Sequence, residues 1–391
     1  MGSNLDNVLD RRGTSCLKWD SLKPFYGRDD VLPMWVADMD FKAPPAVIEA
    51  LSQRVQHGVF GYTAQPDSYD DAVISWFDRR FNWRIQKEWL SFSPGVVTGL
   101  TISIRAFTHP GDKVIIQTPV YYPFYQVIKD NGCQVVENPL KLEHNRYLMD
   151  FEDLKKKAKD PEVKLLILCS PHNPVGRVWT KAELQELGDI CINNDVMVVS
   201  DEIHCDVIYR DAKHIPFASI SEKFAANSIT TIATSKTFNL AGLKNSIIII
   251  PNKKILSEFD NMSAKHRVGM NVFGMLATEM AYTEGEEYLE QLIDYLSDNL
   301  NYLTDFIKQN IPGIKVIKPE GTYLVWLDCR ELGMDRHQLD SFFINEAKVA
   351  LNSGYGFGLA GAGFMRINIA CPKPILQEGL TRIKNAVDSL V

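Results

Sequence analysis

Short apolar runs alternate with amphipathic segments through the middle of the chain. Runs that are apolar at nearly every position are typical of strands buried on both faces, whereas amphipathic spacing indicates helices on a sheet surface. One such helix begins with a capping box, Thr180 with Glu183, ahead of Leu184 and Leu187. The alternation predicts an α/β fold, with a mainly parallel mixed sheet flanked by helices. The strand candidates are 114–117, 163–169, 196–200, 228–234 and 246–250.

Two further helices are predicted nearer the N-terminus. The first opens at Pro44-Pro45 and closes at His57-Gly58, because proline favours the first helical turn and glycine the end. Its apolar stripe consists of Ile48, Leu51 and Val55. The second follows Gly95, and its inner face consists of Val97, Leu100, Ile104 and Phe107.

The pattern changes near residue 284, where a long helix over 288–309 begins a new unit. A chain of 391 residues exceeds one ordinary domain, so two lobes are expected. We expect residues 1–47 to form an N-terminal arm and part of a small domain, 48–284 a large cofactor-binding domain, and 285–391 a smaller α+β domain. Within the last, strands are predicted at 314–317, 322–328 and 364–370, and a helix at 337–349.

Charge and cysteine usage exclude several classes of function. The chain has 42 Lys and Arg against 49 Asp and Glu, so neither nucleic acid nor an acidic membrane surface is an expected partner. No apolar run approaches the ~18 residues of a membrane span, and residues 1–14 are polar, so we expect a cytoplasmic protein. The 7 cysteines lie far apart without a CxxC pair, which argues against a disulfide framework and against a metal site.

Three polar residues follow the middle strands. Asn173, Asp201 and Lys236 each come just past the end of a predicted strand. Singly, they have ordinary explanations as a turn, a helix cap and a surface charge. Together they lie where open α/β sheets bind their ligands, at the carboxyl ends of parallel strands. The sequence therefore predicts a ligand site at this edge.

The segment from Ala233 to Lys244, which contains Lys236, resembles the lysine segment of the aspartate-aminotransferase superfamily, the pyridoxal-phosphate (PLP) enzymes of fold type I. Within that superfamily the chain resembles the carbon–sulfur β-lyases. The resemblance covers nearly the whole chain and implies a PLP-dependent transferase-like fold with a large and a small domain. The matching stretches are 35–41, 61–63, 118–124, 170–179, 200–204, 235–239 and 320–324.

The resemblance implies a role for each candidate. Lys236 would hold PLP as a Schiff base and act as the catalytic acid and base, Asp201 would keep the pyridine nitrogen protonated, and Asn173 would donate to the ring oxygen. The other implied cofactor contacts are Tyr121 stacked on the ring, His204 at the same edge, Val96, Val97, Ser235 and Lys244 at the phosphate, and Tyr62 from the neighbouring subunit of a homodimer. For His204 and Tyr121 the alternative is packing alone.

Two positions depart from the superfamily pattern. Ala233 stands where serine is common, and Lys244 stands where arginine is common. In the superfamily these two positions imply one hydrogen bond and a bidentate grip on the phosphate, so here other donors are expected to compensate.

Arg366 is the candidate for substrate binding. It alternates with Phe364 and Asn368 on one face of a predicted strand, where an arginine is costly unless paired. The resemblance pairs it with the substrate α-carboxylate and places Tyr122 on the substrate side. The alternatives are an exposed edge arginine and a core tyrosine.

A glycine-rich segment imitates a dinucleotide motif. Residues 356–361 fit GxGxxG, yet a strand-like run rather than a helix follows them. No NAD site is expected there.

The implied reaction is αβ-elimination from an amino acid with sulfur on Cβ. Cystathionine would give homocysteine and cysteine would give hydrogen sulfide, in both cases with pyruvate and ammonia. The choice among cystathionine, cysteine and other S-substituted cysteines stays open, because packing shapes the leaving-group pocket. One alternative is a PLP-dependent aminotransferase. Another, of a different class, is a regulator that binds a transcription activator.

Overall fold

A seven-stranded sheet lies at the centre of the protein, which the computed structural model describes over residues 5–390. The first four residues of the expected arm lie outside the described part. The strands are β1 Leu32–Pro33, β2 Leu90–Ser93, β3 Lys113–Ile116, β4 Gln134–Glu137, β5 Lys141–Glu143, β6 Arg146–Leu148, β7 Val163–Cys169, β8 Met197–Asp201, β9 Ser228–Ile232, β10 Ser246–Ile249, β11 Lys315–Ile317, β12 Leu324–Asp328, β13 Val349–Ala350, β14 Asn352–Ser353 and β15 Phe364–Asn368.

The helices lie mainly on the two faces of this sheet and around the C-terminal lobe. They are α1 Leu17–Asp20, α2 Leu22–Tyr26, α3 Pro45–His57, α4 Asp67–Phe81, α5 Val96–Phe107, α6 Pro123–Asp130, α7 Phe151–Ala158, α8 Lys181–Ile192, α9 Glu222–Ala226, α10 Thr234–Thr237, α11 Lys253–Lys265, α12 Val272–Glu284, α13 Glu286–Asn310, α14 Arg336–Ser341 and α15 Lys373–Asp388.

The central sheet has the order β2-β10-β9-β8-β7-β3-β4. Its neighbours from β9 to β4 are parallel, and β10 is antiparallel to both β9 and β2. The predicted α/β class with a mainly parallel sheet is therefore confirmed. The carboxyl ends of β7, β8 and β9 lie side by side, and this arrangement brings residues distant in sequence to one edge.

Helices cover both faces of the sheet, which explains the continuous apolar strands. Ile167 and Val199 pack with Leu100 of α5 on one face, while Leu166 and Val198 pack with helix α8 on the other. The predicted capping box of α8 is confirmed, since Thr180 and Glu183 bond reciprocally. That box fixes the start of the helix between β7 and β8.

A second, antiparallel sheet has the order β11-β12-β15-β14 and lies in the C-terminal lobe. The N-terminal segment joins this lobe, because Leu32 and Pro33 pair in parallel with Val349 and Ala350. The domain division at 47 and 284 stays a prediction.

Two predictions about helices need correction. The helix predicted over 337–349 ends at Ser341, continues as a π-helical turn to Glu346, and gives way to strand β13. Its end is set by Lys348, whose φ of 52° leaves the helical region. Of the predicted apolar stripe of α3 only Leu51 packs against the core, because Ile48 and Val55 are exposed and Val47 is the buried residue.

All seven cysteines are free, and all except Cys16 are buried. Among residues 5–390, no helix combines the length and the apolar character that a membrane crossing requires.

Candidate active site

A cavity of about 400 Å³ opens at the carboxyl edge of the central sheet. It lies where β7, β8 and β9 end, so it receives the three residues that the sequence places after those strands. Nine predicted site residues line it: Val96, Val97, Tyr121, Asn173, Asp201, His204, Ser235, Lys236 and Lys244. Arg366 contacts one of them, whereas Tyr62 and Tyr122 lie outside this lining.

Lys236 lies on α10, the short helix that follows β9. Its Nζ donates to the carbonyl oxygen of Ala37 at 2.6 Å. Burial lowers the pKa of Lys236 to about 8, although the negative charges of Asp38 and Asp201 oppose this shift. An amine with such a pKa loses its proton near neutral pH and can act as a nucleophile or a base.

Asp201 ends strand β8 and is buried. Its Oδ1 accepts the backbone N–H of Ile203 at 3.1 Å. Burial raises the pKa of Asp201 to about 7. Within residues 5–390 the carboxylate forms no ion pair, so a protonated nitrogen in the cavity is the partner that would favour its charged form.

Arg366 is buried in strand β15. Its Nη1 donates to Oδ1 of Asn173 at 3.0 Å, and its Nη2 donates to the carbonyl oxygen of Trp35 at 2.9 Å. Its guanidinium lies 5.0 Å from the ring centroid of Phe357, and burial lowers the pKa of Arg366 to about 10. The Nε atom has no hydrogen-bond partner in the described structure, so the guanidinium is suited to an external carboxylate.

The N-terminus of helix α5 forms one end of the cavity. Gly95 at the N-cap provides no side-chain cap, and Val96, Val97 and Thr98 of the first turn line the cavity. Uncapped backbone N–H groups at a helix start bind anions. Ser235 and Lys244 line the same cavity, so a hydroxyl and a cation accompany these N–H groups.

The predicted ring contacts differ in exposure. His204 is buried, its Nδ1 has no partner in the described structure, and burial holds its pKa well below the ordinary value. It is therefore a neutral imidazole facing the cavity. Tyr121 and Tyr122 lie with ring centroids 5.3 Å apart, but Tyr122 is 53% exposed. Tyr62 is fully exposed and contacts no part of this cavity.

Several lining groups were missed from the sequence. Thr98 follows the two predicted helix-start residues, so the same N–H argument could have included it. Asn245 directly follows Lys244 and is buried beside the cavity. Ala37 contributes a backbone carbonyl, which accepts from Lys236 and from the hydroxyl of Tyr323 at 3.1 Å. A backbone carbonyl leaves no signal in a side-chain pattern.

The glycine-rich segment 356–361 forms no dinucleotide fingerprint. It consists of two short 3₁₀ turns, and strand β15 follows them.

Comparisons with known proteins agree with this geometry. Residues 29–383 match the family model of aminotransferase class I and II. The cystathionine beta-lyase PatB of Bacillus subtilis (strain 168) is 45% identical over 385 residues, which cover 98% of this chain and 100% of the relative. The crystal structure of cystalysin from Treponema denticola, which contains pyridoxal 5'-phosphate, has a TM-score of 0.97 and 40% identity, with 100% of both chains covered. The PLP-bound C-S lyase from Staphylococcus hominis has a TM-score of 0.93 and 38% identity, covering 99% of this chain and 98% of that one.

Proposed function

The chain belongs to the class I and II aminotransferase family, and on that premise we propose that it is a PLP-dependent carbon–sulfur β-lyase. L-Cystathionine, L-cysteine or another S-substituted cysteine would react with water to give a thiol, pyruvate and ammonia. The observation that carries the proposal is the convergence of Lys236, Asp201, Asn173 and Arg366 at one cavity, in a chain 45% identical to a cystathionine beta-lyase.

The residues of the cavity fit PLP. Lys236 supplies an amine that deprotonates near neutral pH, and Asp201 supplies a carboxylate that lacks a cationic partner in the described structure. Val96 and Val97 at the start of α5 supply N–H groups for a phosphate. The unpartnered Nδ1 of His204 supplies a further polar group. A ligand with an aldehyde, a basic ring nitrogen and a phosphate would satisfy the amine, the carboxylate and the N–H groups, respectively.

Bound PLP supplies an electron sink for the electron pair left on the substrate Cα when its proton is removed. Asp201 would hold the proton of the ring nitrogen, because an adjacent carboxylate favours the positive charge. The Oδ1 of Asn173 is engaged by Arg366, so its amide nitrogen is the group that can donate to the ring oxygen.

Arg366 would hold the substrate α-carboxylate. Its contacts with Asn173 and with the Trp35 carbonyl fix the plane of the guanidinium before any substrate arrives. A fixed bidentate donor orients the Cα–H bond toward one side of the site.

Lys236 would remove the Cα proton. The amine, once free, keeps the Ala37 carbonyl as a hydrogen-bond acceptor, which limits the directions in which Nζ can point. With a pKa of about 8, Lys236 is basic enough to accept the Cα proton, and a useful fraction of the amine is already deprotonated at neutral pH. The proton that Lys236 takes from Cα is then available to the departing thiolate.

We also propose a homodimer in which Tyr62 reaches the phosphate end of the neighbouring cavity. In support, Tyr62 is fully exposed, and apolar side chains around it are exposed as well. They lie along α3 and the loop after it: Ile48, Val55, Val59 and Phe60. A patch of this kind is suited to a protein interface.

Pyruvate release from L-cystathionine and from L-cysteine tests the proposed function. We expect the PLP-loaded protein to release pyruvate without any added 2-oxo acid, and a Lys236→Ala variant to release none. The family also contains aminotransferases, which transfer the amino group to a 2-oxo acid. Absence of pyruvate, with loss of the cofactor's visible absorption until a 2-oxo acid is supplied, would identify aminotransfer instead.

A further inference from the structure

Four charged residues form a cluster beside the cavity, outside the residues assigned above. Arg11 donates to both carboxylate oxygens of Asp38, at 2.7 and 3.1 Å, and to Asp40 at 2.7 Å. Lys18 forms an ion pair with Asp40 at 2.7 Å and lies 4.0 Å from Asp38. We call Arg11, Lys18, Asp38 and Asp40 the clamp.

Burial shows that the clamp is more than surface charge. The side chains of Lys18 and Asp40 are each 1% exposed. Asp40 also accepts from the indole nitrogen of Trp19 at 2.9 Å. Buried ion pairs add little net stability, because desolvation offsets their attraction. The clamp is therefore better explained by the backbone geometry that it fixes around Asp38 and Asp40.

The clamp fixes a segment that contacts both Lys236 and Arg366. We call this segment, residues 35–41, the strap. It carries the two aspartates of the clamp, and the clamp cations Arg11 and Lys18 hold it through them. Its Trp35 carbonyl accepts from Arg366 at 2.9 Å, and its Ala37 carbonyl accepts from Lys236 at 2.6 Å. The clamp residue Lys18 also reaches the strap directly, since its own carbonyl accepts the indole N–H of Trp35 at 3.0 Å. The strap thus connects the N-terminal arm to the reacting groups.

Two asparagines hold the strap from the other side. Asn239, three residues past Lys236, exchanges hydrogen bonds with the backbone of Met39 at 2.9 and 3.0 Å. Asn368, two residues past Arg366, donates to the Val36 and Asp38 carbonyls. The strap is therefore held by the clamp cations Arg11 and Lys18 and by the two elements that carry Lys236 and Arg366.

We propose that the clamp positions the strap so that the Trp35 carbonyl orients Arg366 for the substrate carboxylate and the Ala37 carbonyl orients the freed amine of Lys236 toward Cα. The four clamp residues are positioning residues, because none of them touches the cavity. This inference rests on the proposed β-lyase function.

The clamp also places charge near Lys236. The charged groups that act on this amine are Asp38 and Asp201, which favour its protonated form, and Arg366 and Lys244, which oppose it. Neutral His204, Tyr121 and Cys169 line the same cavity as this amine, and the hydroxyl of Tyr323 donates to the same Ala37 carbonyl. Arg11 neutralises Asp38 through the bidentate pair. Removing Arg11 and removing Asp38 should therefore change the proton affinity of Lys236 in opposite directions.

The test compares Arg11→Gln and Asp38→Asn in the PLP-loaded protein, with Arg12→Gln as the matched control. Arg12 is the next residue and also a cation, but it is exposed and contacts Trp19 rather than the strap. The first readout is the midpoint of the pH titration of the cofactor's visible absorption. We expect Asp38→Asn to lower and Arg11→Gln to raise this midpoint, each by roughly half a unit, with Arg12→Gln unchanged.

The second readout is the steady-state rate of pyruvate release. We expect Arg11→Gln to lower kcat/KM about tenfold, since small displacements of positioned groups reduce rates steeply, and Arg11→Lys to recover part of the loss. Midpoints that do not move, or that move in the same direction, would overturn the proposal. If Arg11→Gln fails to fold, the comparison of Asp38→Asn with wild type still tests the proposal. A titration midpoint that falls supports the proposal, and a midpoint that rises or does not move overturns it.

A wild-type protein that releases no pyruvate would refute the proposed function instead, and the spectral titration would still be readable. The two failures are therefore distinguishable.

Discussion

Arg366 and Asn173 are joined by a hydrogen bond of 3.0 Å, which connects strand β15 of the C-terminal lobe to the edge of the central sheet. The bond ties the predicted substrate anchor to a predicted cofactor ligand. A shift of either lobe would therefore change both contacts together.

Replacing Arg366 with lysine should weaken substrate binding. Lysine is a point charge that cannot provide the bidentate fork, so we expect kcat/KM to fall about a hundredfold, with most of the loss in KM. The cofactor should remain bound and keep a visible absorption band, since Lys236 is unchanged. Arg330→Lys is the control, because Arg330 is 55% exposed and pairs with Asp328, two residues away. An unchanged KM would show that Arg366 does not bind the carboxylate.

Asp201→Asn should lower activity but raise the stability of the cofactor-free protein. We expect activity to fall at least about a hundredfold, since an amide does not hold the proton of the ring nitrogen. The cofactor-free protein should become more stable. The pKa of the buried carboxyl is raised to about 7 in the folded state, whereas the same carboxyl in the unfolded chain ionises at about pH 4. The free energy of unfolding of wild type therefore falls as pH rises from about 4 to about 7.

The stability gain of Asp201→Asn should therefore grow with pH. Between about pH 5 and pH 7 we expect the difference in free energy of unfolding between Asp201→Asn and wild type to increase by about 2 kcal/mol. Denaturant unfolding of both cofactor-free proteins at the two pH values measures it. Asp189→Asn, on the exposed face of α8, should show no such gain. A gain that shrinks as pH rises would contradict a buried carboxylate that forms no ion pair within residues 5–390.

Lys236 should react as an unusually acidic amine in the cofactor-free protein. Its pKa is lowered to about 8, so its acylation rate should rise through about pH 8, whereas ordinary lysines need a pH above 10. Peptide mass spectrometry after brief labelling at a series of pH values measures this. If the labelling rate of Lys236 has the same pH dependence as that of the exposed lysines, the cavity does not lower the pKa of its amine.

The exposed patch around Tyr62 should hold two subunits together. We expect Phe60→Asp to shift the protein from dimer to monomer in analytical ultracentrifugation, because Phe60 is 54% exposed in the single chain. Leu390→Asp, at an equally exposed but distant apolar residue, should leave the mass unchanged. A wild-type protein that sediments as a monomer would remove the proposed role of Tyr62.

The sequence predicted the sheet and the residues at its edge because each depended on a local pattern. Strand β7 was predicted with the bounds that it has, and the box of Thr180 and Glu183 was visible from spacing alone. Asn173, Asp201 and Lys236 were predicted to share an edge because parallel strands must end together.

Other features depend on contacts that no local pattern contains. The stripe of Ile48 and Val55 has helical spacing, but spacing does not show whether a face is covered by its own chain. The helix that begins near residue 337 was predicted to continue to residue 349, but Val349 pairs instead with Leu32 of β1. The Ala37 carbonyl was missed because the chemistry lies in the backbone.

Product stoichiometry from L-cystathionine tests β-elimination directly when it is measured with the PLP-loaded protein in the absence of any 2-oxo acid. We expect one homocysteine, one pyruvate and one ammonia for each cystathionine consumed, over many turnovers, with all three absent in Lys236→Ala. Consumption that stops after one turnover and resumes only with a 2-oxo acid, without release of thiol, would contradict β-elimination.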